Sequence, residues 1–114
     1  MRYMLVLADD EAGALWPGDP GFEELVAEHG AFRRKLEQEG ILLGAGRLRP
    51  TSTAKTVRVR DGKVLRTDGP FAETKEQLGG FYLIECRDLE HALELAAELP
   101  TARKGSVEVR ALVG

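Results

Sequence analysis

The chain has 114 residues, of which 43% are hydrophobic and 31% charged, a balance that excludes a disordered polypeptide and fits one domain over residues 1–114. A net charge of −3 gives no general attraction to nucleic acid or to an anionic membrane. Cys86 is the only cysteine, so no internal disulfide can form, which fits an expected cytoplasmic location.

Tyr3 to Ala8 is a continuous apolar run and predicts a buried strand. Asp9-Asp10 follows too soon for a signal peptide, and no stretch approaches the ~20 apolar residues of a membrane span. Asp9 to Gly21 is a loop rich in Gly, Pro and Asp that carries Trp16 beside Pro17. Asp19-Pro20 reads as an N-cap followed by a first-turn proline. Phe22, Leu25, Val26, His29, Phe32 and Leu36 then recur at helical spacing, the mark of an amphipathic helix on a core. Gly40 is placed to stop it.

Ile41 to Leu48 reads as a second strand. Thr56–Arg60 and Lys63–Thr67 flank Asp61-Gly62, a two-residue hairpin signal. Phe81 to Cys86 is the next strand, and Gly79-Gly80 before it predicts a bulge or a close backbone approach. Asp88 caps a second helix with Leu89, Leu93 and Ala96 inward, ended by Pro100. Val107, Val109 and Ala111 alternate in a last strand.

The order β-α-β, hairpin, β-α-β predicts an α+β domain, a ferredoxin-like β-α-β-β-α-β unit with an extra hairpin. The first strand is apolar on both faces, as is Phe81-Tyr82-Leu83-Ile84. Two helices cover only one face of such a sheet, so the other calls for a second subunit: a homodimer packed sheet to sheet.

Three features could carry chemistry. The first is Thr67-Asp68-Gly69-Pro70-Phe71-Ala72-Glu73-Thr74-Lys75. Asp68 either bonds its own turn as an Asx turn, with Phe71 plugging the core, or lines a site built on a loop stiffened by Pro70 and anchored by Phe71. Glu73, Thr74 and Lys75 would then offer polar groups to a ligand. The second is His29, central on the apolar stripe of the first helix and so inward-pointing. It is either a satisfied core histidine or a general acid–base, with Asp68 as the carboxylate that would orient it. His91 falls on the outer side of its helix. The third is a basic run, Arg47, Arg49, Lys55, Arg58, Arg60, Lys63 and Arg66, opposed only by Asp61. It is either a set of solvated strand faces or, at positions such as Arg47, a binder of a small anion or carboxylate. No aromatic residues interleave with it as nucleic-acid binding would require. No metal or cofactor is expected: the two histidines lie far apart, Cys86 stands alone, and no phosphate-binding glycine loop is present.

Thr67 to Tyr82, together with Tyr3-Met4-Leu5, Thr56-Val57-Arg58 with Asp61-Gly62, and Gly105 to Arg110, resembles the YCII-related (YciI-like), or DGPF-domain, family over nearly the whole chain. The resemblance implies a dimeric α/β-barrel assembled through paired sheets. It implies a small-molecule site in a cleft, with an enzymatic role based on a His–Asp pair that would fall here on His29 and Asp68. It also implies an alternative role as a regulatory module beside extracytoplasmic-function sigma factors, with a sigma factor as protein partner. A third alternative leaves the motif a purely structural device.

Overall fold

A computed structural model describes Met1–Gly114. The elements run β1 (Arg2–Asp9), α1 (Phe22–Gln38), β2 (Leu42–Arg47), β3 (Lys55–Arg60), β4 (Lys63–Asp68), β5 (Gln77–Glu85), α2 (Leu89–Ala97), α3 (Thr101–Lys104) and β6 (Ser106–Ala111). Short 3-10 turns at Glu11–Gly13 and Thr51–Thr53 punctuate the loops. The architecture is mixed α+β with antiparallel sheets. Four strands form the main sheet in the order β2-β5-β1-β6, and β3 and β4 form a separate two-stranded arm.

The first helix ends as its sequence predicts but begins differently. At its C-terminus Gly40 turns left-handed at φ 70°. The Gly40 amide donates to the Glu37 carbonyl and the Ile41 amide to that of Leu36, the paired bonds of a Schellman cap. Leu36 and Ile41, the apolar pair that accompanies this motif, are both buried. At the N-terminus the cap position is Gly21, at φ 88° and without a side-chain bond. The carboxylate of Asp19 turns backward instead and accepts from the Trp16 amide at 2.7 Å. The predicted Asp19 cap thus stabilises the loop that holds Trp16, not the helix.

Tyr3, Leu5, Leu7, Tyr82 and Ile84 point to one face of the sheet and join Phe32, Leu36, Ala92, Leu95 and Leu99 in a single core cluster. Met4, Val6, Phe81 and Leu83 point the other way and are only half-buried, because both long helices lie on the opposite face. The second helix is rotated from its predicted setting. Asp88 does cap it, its Oδ1 accepting from the His91 amide at 2.9 Å. Its buried residues are Ala92, Leu95 and Ala96, whereas Leu89 and Leu93 are exposed. Two alanines allow the helix backbone to lie close to the sheet, an option that an apolar count weighted toward leucine misses.

Close approach also explains two glycines. A Cβ on Gly80 would stand 2.8 Å from the Gly46 carbonyl oxygen across the β2–β5 pair. Gly79 is the extra residue where the β1–β5 register shifts between Leu7 and Ala8, the bulge that Gly79-Gly80 predicts.

The arm departs from the compact body. Asp61 at φ 51° and Gly62 at φ 74° make the primed hairpin turn, and the register runs from Arg60↔Lys63 at the tip to Lys55↔Asp68 at the base. The radius of gyration is 15.9 Å and the principal extents are 47 × 41 × 20 Å, against about 13 Å for a compact chain of this length. The arm accounts for the expected core role of Phe71 failing. That side chain is 81% exposed, because the segment after β4 follows the arm away from the body and meets no core to plug.

Candidate functional site

Beneath the N-terminal half of α1, against the helix-covered face of the main sheet, lies a cavity of about 450 Å³. Apolar walls come from Phe22, Leu25 and Val26 of α1, from Leu7 of β1, and from Leu15 and Trp16 of the preceding loop. Gly79 and Gly80 leave room at its floor. Its polar groups include His29, Tyr82, Arg47 and Gln77.

His29 and Tyr82 form the chemical centre. Strand alternation directs Tyr82 to the helix side, where it faces Leu5 and Ala45 across the sheet, and His29 reaches it from α1. His29 Nδ1 and the Tyr82 hydroxyl are 2.8 Å apart. The two rings lie nearly parallel, with 6° between their planes and centroids 6.2 Å apart, joined edge to edge by this bond. Phe32 meets Tyr82 edge-on, with centroids 5.1 Å apart, which fixes the phenol from the core side. Burial holds the His29 pKa below its ordinary value, with Arg47 and Lys104 adding to that and Glu28 opposing it. Burial also raises the Tyr82 pKa, against a smaller opposing pull from Arg33. Both groups are therefore neutral near pH 7. In one tautomer Tyr82 donates to Nδ1 and His29 presents Nε2–H; in the other Nδ1–H donates to the hydroxyl and Nε2 is a base. Nε2 has no protein partner, and no buried side-chain nitrogen or oxygen is left unpaired, so Nε2 is open to the cavity or to solvent.

A second polar pair stands at the wall. The Arg47 guanidinium lies 3.6 Å from the centre of the Trp16 ring and donates to the Leu15 carbonyl at 2.7 Å. Together these contacts pin the Trp16 loop to β2 by a cation–π contact and a hydrogen bond. Glu11 closes the loop's other end. Its carboxylate accepts from the Thr51 amide and hydroxyl, each at 2.7 Å, and its amide donates to Gln77 Oε1 at 2.9 Å.

The structure brings Arg47 and His29 to one cavity and leaves the other expected site residues outside its lining. The expected Asp68–His29 pair is not formed within the chain. Asp68 is the last residue of β4, and its Oδ1 accepts from Lys55 Nζ at 2.6 Å across the base of the arm. That pair is exposed at both ends and contributes little to stability. The Asx-turn alternative is not formed either: the Gly69 amide donates to the Ala54 carbonyl. Glu73, Thr74 and Lys75 are exposed on the segment after the arm, where the Thr74 hydroxyl donates to the Glu76 carbonyl. Tyr82 and Trp16 were not candidates on sequence grounds. The available signals were a tyrosine in a double-sided strand and a lone tryptophan in a loop, neither of which specifies a site.

The His29 environment has a measurable consequence. Unfolding returns the imidazole to its ordinary pKa of 6.5, so below that pH the unfolded chain binds the proton that the folded chain resists. The contribution of neutral His29 is complete above pH 6.5 and is lost as pH falls through that value toward the lower folded pKa. Urea midpoints measured from pH 7.5 to 5 are expected to fall for the wild type and to fall less for His29→Gln.

An open-faced α+β domain with a side-chain-lined cavity beneath its first helix is thus the class that the fold and site define. The family model for the YCII-related domain matches residues 1–113, and the chain belongs to the YCII-related family. A relative in Rhizobium meliloti (strain 1021), the uncharacterized protein R00369, is 42% identical over 115 residues, covering 98% of this chain and 92% of that protein. Among solved structures, the chain is similar to 5-chloro-2-hydroxyhydroquinone dehydrochlorinase (TftG) from Burkholderia phenoliruptrix AC1100, in complex with 2,5-dihydroxybenzoquinone. That likeness has a TM-score of 0.49 at 14% identity and covers 99% of this chain and 94% of the other.

Proposed function

We propose that the protein binds a small, planar organic molecule in the cavity under α1 and moves a proton on it with His29, held by Tyr82. The observation that carries this reading is the neutral His29–Tyr82 pair, with Nδ1 occupied at 2.8 Å and Nε2 unpartnered, on a histidine that lines a cavity large enough for a ring compound. Flat walls support the planar shape: the indole of Trp16, backed by Arg47, and the near-coplanar, hydrogen-bonded rings of His29 and Tyr82. Asp68 does not enter the proposed acid–base unit within one chain, because it stands at the base of the arm, outside the cavity lining.

The working unit in this reading is a homodimer. The strand order β2-β5-β1-β6 with both long helices on one face supports a ferredoxin-like unit. The half-buried Met4, Val6, Phe81 and Leu83 on the other face support sheet-to-sheet pairing of two such units.

The test uses four probes: phenol, benzoate, cyclohexanol and cyclohexanecarboxylate. Each is titrated into the protein while the His29 ring signals are followed by NMR. The planar pair should give saturable shifts at His29, and in His29→Gln, followed at the Trp16 indole signals, binding of both should weaken by roughly tenfold. Equal responses to the saturated rings would reduce the cavity to a greasy hole, and silence from all four would remove the reading.

A further inference from the structure

We infer that the β3–β4 arm of one chain lies across the mouth of the cavity in a second copy, so that the site is complete only in the pair; this rests on the dimer reading above.

The two faces of the arm are unequal. Thr56 Oγ1 donates to the Gly69 carbonyl at 2.7 Å, and Arg58 reaches the Phe71 carbonyl at 3.4 Å. The segment after β4 therefore folds back over the face that carries Thr56, Arg58 and Leu65. On the opposite face the register sets Val59 beside Val64 and Val57 beside Arg66. Those three valines are 58–62% exposed, and nothing in the chain covers them. An isolated two-stranded ribbon is marginally stable in water. One that projects from the body with a bare valine stripe needs a surface to lie on.

The charges identify that surface. Residues 55–68 carry five cations against Asp61 and Asp68, a net charge of +3. Only Lys55 among the five is in an ion pair; Arg58, Arg60, Lys63 and Arg66 have no carboxylate partner in the chain. Residues 9–28 carry seven carboxylates and no lysine or arginine. Asp9, Glu11 and Glu28 are engaged by Lys104, Thr51 and Arg103, which leaves Asp10, Asp19, Glu23 and Glu24 without a cation. Val26 is 52% exposed beside these acids and forms part of the cavity wall. One stretch of the chain thus carries an exposed valine stripe with unpaired Arg66 beside Val57 and unpaired Arg60 and Lys63 at the hairpin tip. Another carries unpaired carboxylates around an exposed valine in the wall of the cavity that holds His29. Two copies satisfy both, and in a two-fold dimer each arm serves the other's cavity. The arm would seal the cavity mouth and strengthen electrostatic interactions at His29 by excluding water.

The test begins with mass by light scattering at tens of micromolar, followed by cross-linking of single-cysteine chains built on Cys86→Ala. Val26→Cys and Val59→Cys proteins, each checked for native circular dichroism, are mixed and oxidised. The expected result is a dimeric mass and a mixed disulfide that exceeds either self-pairing. As a second measurement, the double variant Glu23→Lys/Glu24→Lys should weaken the dimer roughly tenfold, and mixing it with Arg66→Glu should restore part of that loss. A monomeric wild type would overturn the dimer reading together with this inference. A dimer that gives no mixed disulfide, or in which Val59→Cys pairs only with itself, would overturn the arm's docking and leave the dimer standing. A dimer indifferent to the charge reversals would do the same.

Discussion

Gly105→Ala is expected to lower the melting temperature by about 12 °C, one of the largest losses open to a single added methyl group. A Cβ at this position would stand 2.3 Å from the Ala8 carbonyl oxygen and 3.1 Å from the Asp9 Cα. Both obstacles are backbone at the end of β1, and backbone in a paired strand cannot swing aside as a side-chain tip can. Gly105 also donates its amide to the Thr101 carbonyl at 2.7 Å, which closes α3 immediately before β6 pairs Ser106 with Ala8. Relief of the clash would have to part β6 from β1 or unwind α3. Overpacking of this kind costs about 3 kcal/mol, and at this chain length each kcal/mol corresponds to about 4 °C. Thermal melts followed at 222 nm should show this drop for Gly105→Ala. Gly13→Ala, where an added Cβ meets nothing within 4 Å, should melt within about 2 °C of the wild type. Equal melts for the two variants would mean that β1 and β6 do not approach as described.

Leu36→Ala is the second large effect, with an expected loss of about 3 to 4 kcal/mol. Leu36 is fully buried, and its carbonyl accepts the Ile41 amide at 2.8 Å in the Schellman cap. Truncation opens a cavity between α1 and the sheet and removes the apolar contact that accompanies the cap. Against a typical net stability of about 5–15 kcal/mol, that is a substantial fraction. Leu89→Ala is the informative comparison. Helical spacing alone assigns Leu89 to the inner face of α2, whereas it is 50% exposed, so its truncation should cost less than about 1 kcal/mol. Urea denaturation of both variants distinguishes the two settings of α2, since a large loss at Leu89 would restore the setting expected from spacing.

Local chemistry explains why some of the fold was legible. Gly40 ends α1 because a left-handed residue with no Cβ penalty is what the Schellman bonds need. Asp61-Gly62 turns the arm because both positions require positive φ. Asp88 caps α2 because a short carboxylate can reach an amide three residues on. Each depends on a few neighbouring residues, so the letters suffice. Asp19 shows the limit of such reasoning. Its carboxylate accepts from the Trp16 amide, in a loop pinned from outside by Arg47, and the helix starts from Gly21 without a side-chain cap.

The site was legible only in part, for a related reason. Inward orientation of His29 follows from helical periodicity, but its partner comes from 53 positions away. Nothing local distinguishes Tyr82, which the sheet turns toward the helices, from Phe81, which it turns away. The Asp68–His29 pairing is suggested by residue type and family resemblance, and the hairpin separates them by carrying Asp68 at the base of the arm, outside the cavity lining.

The sequence by itself determined the α+β order, the first helix and its stop, the hairpin turn, the second helix cap, and an apolar strand pair with two faces to cover. Those are consequences of backbone conformation and short-range hydrogen bonding, which act over a few residues. Only the tertiary structure decided that the hairpin stands off as an arm, that Phe71 is left in the open, that α2 rests on alanines, and that His29 meets Tyr82 beside the Trp16–Arg47 wall. Those outcomes depend on which distant surfaces can close on one another without a gap or a clash, and packing at that range is settled by shapes that no short stretch of sequence contains.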